Sequence, residues 1–384
     1  MKKTVRLFDA DAYLREFTAK VISCDAADDS FLTVLDRTAF FPEEGGQSPD
    51  TGKISGSAVK SVFEKDGVIY HATEKEFLPG DEVLCRIDFD ERYRKMQSHT
   101  GEHVLCGVAH RLFGCENVGF HLSEEYVRVD LDVYLDREKV AMIEKEANRA
   151  IRGNHAVTAW YPSEEELSSL TFRSKDGIKG EVRLVKIEDV DLCACCAPHV
   201  KSTSEVGMLK VTDSIKYKGG TRLEIVCGPD AVELFIKEHA ALTSLAESFS
   251  VARDDVAAAV DRLREELANT AYRLRHAERE LMAKKLETLE STDGALCFFF
   301  EAEDPEAVRE FLNGAANLCR VAAGFIGKEK DYRYIIRSEK DDLKALAPSI
   351  NGAISGRGGG SPAMITGKCG ADRKTVEEFF NNYK

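Results

Sequence analysis

The sequence predicts an α+β fold that begins with a small β-barrel, continues as mixed helices and strands, then as a long charged helical stretch, and ends in an α/β unit. Three observations lead to this prediction. The first ninety residues are rich in β-formers and turns, the hydrophobic period becomes helical near residue 91, and residues 230–290 repeat apolar side chains three and four apart. A chain of 384 residues has room for two or three domains.

Residues 1–90 are predicted to form the barrel-like domain. Segments such as 31–35 and 83–87 cluster or alternate β-formers, and Asp-Gly and Pro-Gly pairs mark the turns between such segments. The segment 41–52 is predicted to be a loop in which Gly45 and Gly46 let another backbone approach closely.

Residues 91–229 are predicted to form a second domain. Its first element is a helix over 91–113 that ends at Gly114, because glycine is the usual residue just past a helix. A second helix is expected over 136–152, and Ser163 with Glu166 forms a capping box. Strands are predicted at 127–133, 156–161, 182–187, 208–211 and 222–226. This pattern is typical of helices packed on a mostly antiparallel sheet.

Two pairs of side chains in this second segment have the spacing of metal ligands. His99 and His103 lie four residues apart on the predicted helix, so both imidazoles share one face, and Cys195 and His199 repeat the spacing. Imidazole and thiolate together favour zinc. Cys193 or Cys196 could replace Cys195 as the ligand, and the three cysteines could instead be a redox cluster or small buried side chains. The remaining histidines are predicted to be surface or packing residues.

Residues 230–290 are predicted to be a helical or coiled-coil linker. The repeat forms an imperfect a/d seam that fits either an intramolecular hairpin with residues 231–248 or a dimeric coiled coil. The seam positions are Val256, Val260, Leu263, Leu267, Thr270, Leu274, Ala277 and Leu281.

Residues 291–384 are predicted to be a small α/β unit with strands near 297–301 and 334–337. Its glycine-rich run, 355–362, is predicted to be a tight loop whose backbone N–H groups could hold phosphate. The run lacks the Lys-Ser/Thr ending of a P-loop, which argues against nucleotide hydrolysis there.

Composition limits the class of protein. No apolar run is long enough for a membrane span, and the N-terminus does not resemble a signal peptide. Eleven scattered cysteines do not suggest a disulfide framework, so a cytoplasmic location with reduced thiols is expected. The net charge of −14 argues against a generally basic nucleic-acid surface, although local basic patches could still bind RNA.

Four motifs in this order resemble the AlaX family of free-standing alanyl-tRNA editing proteins and the editing half of alanyl-tRNA synthetase. The motifs are residues 38–47 with Asp50 and Gly52, 99–103, 195–200, and 219–224. The C-terminal unit looks like the DHH-associated domain of the long AlaX proteins. The family usually has Cys-Gly-Gly-Thr-His at the second ligand pair, whereas Cys196, Ala197 and Pro198 fill the middle here.

The resemblance implies a zinc-containing hydrolase that removes serine, or glycine, from mischarged tRNA(Ala). Because no class II synthetase module precedes residue 1, it implies editing in trans. It places Thr38 and Gln47 at the reacting substrate, although Thr38 could equally be a strand-end residue and Gln47 a loop-stabilising amide. The implied residues are Gly45, Gly46 and Arg222 for substrate binding, His99, His103, Cys195 and His199 for zinc, and Arg357, Gly358, Gly359 and Gly360 for tRNA.

Alternatives to this function come from two classes. A zinc-stabilised RNA-binding module would bind without turnover, and a related editing enzyme would act on a threonyl-type aminoacyl-tRNA. A DHH-type phosphoesterase is excluded because the chain has no Asp-His-His triplet. The expected partners are tRNA(Ala) and, through the helical segment or the C-terminal domain, a second copy of the chain. No membrane partner is expected.

Overall fold

The structure is a computed structural model that describes residues 2–27, 29–123, 126–174, 181–301 and 304–383. The chain divides into two compact units, Met1–Ala241 and Leu242–Lys384. The four predicted segments, with boundaries at 90, 229 and 290, are finer than this division and stay a prediction.

The first unit begins with a closed antiparallel barrel of strand order β2-β3-β7-β6-β5-β8. Its elements are β1 (Val5–Arg6), α1 (Leu7–Ala10), β2 (Glu16–Ala27), β3 (Ser30–Leu35), β4 (Arg37–Thr38), β5 (Gly52–Ile54), β6 (Ser57–Lys65), β7 (Val68–Thr73) and β8 (Glu82–Ile87). Alternate side chains of β8 are buried, as expected of a strand with one face in a core. The barrel expected from the strand-and-turn pattern is therefore present.

The rest of the first unit surrounds one helix, α2. The elements are α2 (Phe89–Phe113), β9 (Asn117–Leu122), β10 (Val127–Leu131), α3 (Arg137–Arg152), β11 (Val157–Trp160), α4 (Glu164–Ser169), β12 (Leu184–Ile187), β13 (Asp191–Ala194), β14 (Leu209–Tyr217), β15 (Gly220–Cys227) and α5 (Gly228–Phe249), which runs into the second unit. The strands form two antiparallel sheets of order β14-β15-β10-β9 and β11-β12-β13. Asp88 caps the start of α2, and Gly114 ends it in the left-handed conformation, as predicted.

Helix α2 is buried on all sides from Met96 to Ala109, so its neighbours approach it closely. A side chain at Gly101 would lie 2.4 Å from the Cys227 sulfur, so the helix needs glycine there to touch β15. The fully buried ion pair between Arg92 and Asp50 connects the start of α2 to the loop that leads into β5. Removing one partner of such a pair costs about 3–5 kcal/mol, because the other charge stays buried and unpaired.

The second unit contains a five-stranded sheet of order β16-β17-β18-β20-β19. Its elements are α6 (Val256–Glu287), β16 (Ala295–Phe300), α7 (Pro305–Ala315), β17 (Val321–Lys328), β18 (Asp331–Arg337), α8 (Leu343–Ala353), β19 (Gly356–Ser361), β20 (Met364–Cys369) and α9 (Arg373–Asn381). Only the β16–β17 pair is parallel. Among the described residues, no helix is both long and apolar enough to cross a membrane.

The prediction of a tight loop at 355–362 is wrong, because Gly356–Ser361 forms an edge strand. It pairs in antiparallel register with β20, with Gly358 opposite Gly367. A side chain at Gly358 would lie 2.2 Å from the backbone oxygen of Thr366, so glycine allows an unusually close approach of the two strands. Glycine is uncommon inside strands, but here the neighbouring backbone occupies the space that a larger residue's side chain would need.

The seam predicted on α6 is largely exposed. Leu263, Leu267, Leu274 and Leu281 are between 52% and 70% exposed, whereas Val256, near the helix start, is buried. The intramolecular hairpin with residues 231–248 stays a prediction, because that segment spans the boundary between the two units. The dimeric coiled coil stays a prediction.

Candidate metal centre

The structure brings together the four predicted metal ligands. Helix α2 places His99 and His103 one turn apart, and the turn after β13 carries Cys195 and His199. One donor atom from each residue lies within 4.8 Å of all the others. The imidazole centroid of His199 lies 4.8 Å from that of His99 and 4.7 Å from that of His103.

The spacing of these donor atoms suits a small tetrahedral cation. The Cys195 sulfur lies 3.6 Å from His99 Nε2 and 3.3 Å from His199 Nε2. Zinc bonds of about 2.0 Å to nitrogen and about 2.3 Å to sulfur, at a tetrahedral angle, separate those two atoms by about 3.5 Å. The donor set and its dimensions therefore fit zinc.

The electrostatics favour the thiolate form of Cys195, and they shift the imidazoles in opposite directions. Burial alone would raise the pKa of Cys195, but His99 and His199 outweigh it and hold the pKa well below the usual range of a thiol. Burial lowers the pKa of His199 to about 3. Burial would also lower the pKa of His103, but Cys193, Asp191 and Cys195 outweigh it and raise that pKa well above its usual value. A thiolate and a neutral imidazole are the forms that coordinate metal.

The outer nitrogen of each imidazole faces a polar partner. The amide oxygen of Gln47 accepts a hydrogen bond from His99 Nδ1 at 2.7 Å, and the Thr100 hydroxyl lies 3.0 Å from His199 Nδ1. Asp191 Oδ2 lies 3.5 Å from His103 Nδ1. Such partners orient a ligating ring and fix which nitrogen faces the metal. Sequence reasoning missed Thr100 and Asp191, although Thr100 directly follows a predicted ligand.

Arg183 holds the turn that carries Cys195. Its Nη1 donates to the Cys195 carbonyl at 3.0 Å and to the Ala197 carbonyl at 2.9 Å, while its own carbonyl accepts from the Cys195 N–H at 3.0 Å. Sequence reasoning missed this residue too. These bonds hold the backbone of the turn between the two ligands.

Of the three neighbouring cysteines, Cys195 belongs to the four-residue donor group. Cys193 forms a second potential group with His103 and Asp191, and Cys196 belongs to neither of the groups found in the described part of the chain. Burial raises the pKa of Cys193 to about 11, which favours a protonated thiol.

A cavity of about 1030 Å³ opens beside the donor group. Its described lining includes Gly45, His99, His103, Phe120, Arg183 and Cys195. The same lining does not include Thr38, Gly46, Gln47 or Arg222. The cavity is large enough for a small ligand, and polar groups at one wall could fix its orientation.

Thr38 instead ends strand β4, which lies outside the six barrel strands and pairs with β1. It is fully buried, its hydroxyl lies 2.9 Å from His71 Nε2, and the same oxygen accepts from the Phe40 N–H at 3.1 Å. This is the environment of a structural strand-end residue. A direct contact between Thr38 and substrate stays a prediction.

Arg222 lies on β15, where Asp130 accepts hydrogen bonds from its Nε at 2.6 Å and its Nη2 at 2.7 Å. Its guanidinium also stacks 3.6 Å from the Tyr217 ring centroid. These contacts explain the residue structurally. Its predicted role in substrate binding has no contact with the cavity to support it and stays a prediction.

The loop of Gly45, Gly46 and Gln47 connects the barrel to the candidate metal centre through hydrogen bonds. Gly45 and Gly46 have φ angles of 65° and 88°, which favour glycine, and the Gly46 carbonyl accepts from the Leu122 N–H on β9. Gln47 then reaches His99, and Asp50 reaches Arg92. The motif thus positions the helix that carries two of the four donor side chains.

Comparison with known proteins identifies the family. Residues 182–224 match the model described as threonyl and alanyl tRNA synthetase second additional domain, and residues 11–91 match the model for class II (A) tRNA synthetases. The alanyl-tRNA editing protein AlaX-M of Methanosarcina mazei is 39% identical over 56% of this chain and 92% of its own length. The chain belongs to the alanyl-tRNA editing protein family.

Two longer alignments support this membership. The alanyl-tRNA editing protein Aarsd1 of Rattus norvegicus is 26% identical over 94% of this chain and 93% of its own length. The alanine–tRNA ligase of Ignicoccus hospitalis is 30% identical over 97% of this chain, which spans only 42% of that ligase.

Proposed function

We propose that the protein is an editing hydrolase that acts in trans on mischarged tRNA(Ala), with seryl-tRNA(Ala) as its main substrate and glycyl-tRNA(Ala) as a second one. The observation that carries this proposal is the convergence of His99, His103, Cys195 and His199 in a chain of the alanyl-tRNA editing family. Three of these residues, His99, His103 and Cys195, line a ligand-sized cavity.

The reaction adds water across an ester. Hydroxide joins the carbonyl carbon, the ribose oxygen leaves with a proton, and the amino acid and intact tRNA separate. A zinc ion held by the four side chains would supply positive charge near the reacting carbonyl, or would shape the pocket if all four ligands stay bound. Gly45 lines the same cavity, and its backbone N–H is proposed as a donor to the developing negative charge.

Selectivity for serine over alanine requires a site that binds the serine hydroxyl favourably. A synthetase pocket for alanine rejects an analogue with one added hydroxyl by only about a hundredfold. A second site that hydrogen-bonds the hydroxyl leaves a buried polar group unpaired when alanine enters, at a cost of about 1–3 kcal/mol. In this proposal Gln47 is the better supported of the two predicted contacts, because it touches His99 and its Nε2 is buried without a hydrogen-bond partner among the described residues.

The C-terminal unit is proposed to bind the tRNA backbone. Arg357 and Gly358–Gly360 lie on an exposed edge strand, where a cation and backbone N–H groups can reach phosphate oxygens. The exposed leucines of α6 are proposed to contact a second copy of the chain, as in a coiled coil.

The test is deacylation measured beside metal analysis of the same sample. We expect the metal-loaded protein to release serine from Ser-tRNA(Ala) and, more slowly, glycine from Gly-tRNA(Ala), while Ala-tRNA(Ala) stays intact. Metal-loaded protein that binds tRNA but releases no serine would identify a binding module instead. Faster hydrolysis of Ser-tRNA(Thr) would identify a threonyl-type editing enzyme.

A further inference from the structure

Two regular patterns face each other beside the metal centre. On α2, His99, His103 and Gly107 recur every four residues and share one face. Along β13 and its continuation, Asp191 and Cys195 lie four residues apart, so both side chains point to one side of the strand. The strand that presents Cys195 to the donor group therefore also presents Asp191 to the same helix.

Gly107 provides the space that Asp191 occupies. A side chain at Gly107 would lie 2.8 Å from Asp191 Cβ and 2.7 Å from the Val190 carbonyl oxygen. Because these contacts are closer than a real side chain allows, only glycine lets β13 approach this turn of α2. The approach brings the buried Asp191 carboxylate within 3.5 Å of His103 Nδ1.

Arg173 fixes the carboxylate in this position. Its Nε donates to Asp191 Oδ1 at 2.8 Å and its Nη2 to Oδ2 at 2.7 Å, a paired geometry that allows little rotation. The backbone of Arg173 also bonds to the strand, because its N–H donates to the Leu192 carbonyl at 2.8 Å and its carbonyl accepts from the Ala194 N–H at 2.9 Å. The orientation of the carboxylate is thus set before any ligand binds.

His103 needs this carboxylate. Its Nδ1 is buried and makes no hydrogen bond within the described part of the chain. A buried N–H without an acceptor is costly, so a ring that uses Nε2 as its donor to a metal requires an acceptor at Nδ1. His99 and His199 already have polar partners at this atom, namely Gln47 and Thr100.

A second cation held by His103, Asp191 and Cys193 is the other way to interpret this cluster. The guanidinium of Arg173 argues against it. Two hydrogen bonds already give the carboxylate a positive partner, and a cation placed there would lie beside a fixed positive charge.

We propose that Asp191 is a positioning residue of the metal centre, which accepts the Nδ1 proton of His103 and thereby holds Nε2 toward Cys195. The inference rests on the metal site of the proposed function. Arg173 and Gly107 support it, the first by orienting the carboxylate and the second by giving it room.

The test compares metal affinity in the full chain. We expect Asp191→Asn to bind zinc about 10–100-fold more weakly than the wild type in a chelator competition, with Asp191→Glu recovering part of the loss. The visible spectrum of the cobalt-substituted protein should change as well, because the ring geometry at the metal changes. Asp341→Asn, which breaks another paired arginine–aspartate contact, in the second unit, should leave zinc affinity unchanged.

The outcomes separate the two levels of inference. Wild-type protein that binds no zinc or cobalt overturns the metal centre itself. Wild type that binds one ion, with Asp191→Asn binding equally well, overturns only the role of Asp191, and two ions per chain would favour the second-cation interpretation. If Asp191→Asn melts early without metal, Gly107→Ala, which keeps the carboxylate but displaces it, should still weaken zinc binding, and unchanged affinity in that variant overturns the proposal.

Discussion

The first unit buries imidazoles in two different ways. His71, inside the barrel, has both ring nitrogens bonded to protein, with Nδ1 3.0 Å from the Thr33 carbonyl and Nε2 2.9 Å from the Thr38 hydroxyl. At the candidate metal centre, His99 and His199 have hydrogen-bond partners at the outer nitrogen Nδ1, and their inner nitrogens Nε2 face one thiol, that of Cys195.

This difference shows that burial of histidine does not by itself indicate function. His71 is more deeply buried than His99, His103 or His199, yet its hydrogen bonds are complete without a ligand. In the second cluster the donor atoms converge on one point, which an ion that neutralises the thiolate would occupy. What distinguishes a candidate ligand from a structural histidine is therefore the group that each ring nitrogen faces, and not how deeply the ring is buried.

The largest expected effect comes from removing the thiol. Cys195→Ser should weaken zinc binding more than about 100-fold and abolish deacylation, because loss of a ligand exceeds the usual effect of losing a ligand's partner. Cys196→Ser should keep the metal, since Cys196 lies outside the donor group. Zinc content after dialysis measures both variants. Equal zinc content would show that a neighbouring cysteine serves as the ligand.

A second prediction concerns pH and isolates the barrel histidine. Burial lowers the pKa of His71 to about 4, against about 6.5 in the unfolded chain. Between about pH 6.5 and pH 4, His71 binds a proton in the unfolded chain but not in the folded chain. The free energy of unfolding therefore falls as the pH drops through this range. The full loss is about 3 kcal/mol.

Urea unfolding of wild type and His71→Gln at several pH values measures this effect. Their difference in unfolding free energy should vary across this window and become constant above about pH 6.5. A difference that stays constant from pH 7 to pH 4 would mean that His71 is not held neutral by burial.

The smallest expected effect separates the two roles of Thr38. Thr38→Val should destabilise the fold by about 1–3 kcal/mol, because His71 Nε2 loses its donor and the Phe40 N–H loses its acceptor. Zinc affinity should not change. The rates on Ser-tRNA(Ala) and Gly-tRNA(Ala) in this variant test the predicted substrate contact, and an unchanged ratio would leave Thr38 with its structural role alone.

Sequence patterns predicted the local elements well where one physical cause dominates. The cap at Gly114 and the i, i+4 pairing of His99 with His103 depend only on helix geometry. The four donor side chains were predictable as two local pairs, although their convergence is a tertiary fact. The roles of Arg173, Arg183 and Asp191 depend on contacts across strands and helix, which no local spacing in the sequence encodes.

The glycine-rich strand β19 is a case in which residue preference gave the wrong local structure. Residue preference favoured a loop at 355–362, but the strand forms because the neighbouring strand and Tyr334 fill the space of the missing side chains. Thr38 is a similar case, since its hydroxyl satisfies His71, a residue thirty-three positions later in the sequence.

The two ligand pairs lie more than ninety residues apart along the chain. An ion bound by both pairs would act as a reversible cross-link that closes the loop between them. A covalent cross-link across a loop of this length stabilises the folded state by about 4–5 kcal/mol, because it lowers the entropy of the unfolded chain. Chelation should therefore destabilise the whole first unit, and metal supply would set how long the folded protein survives.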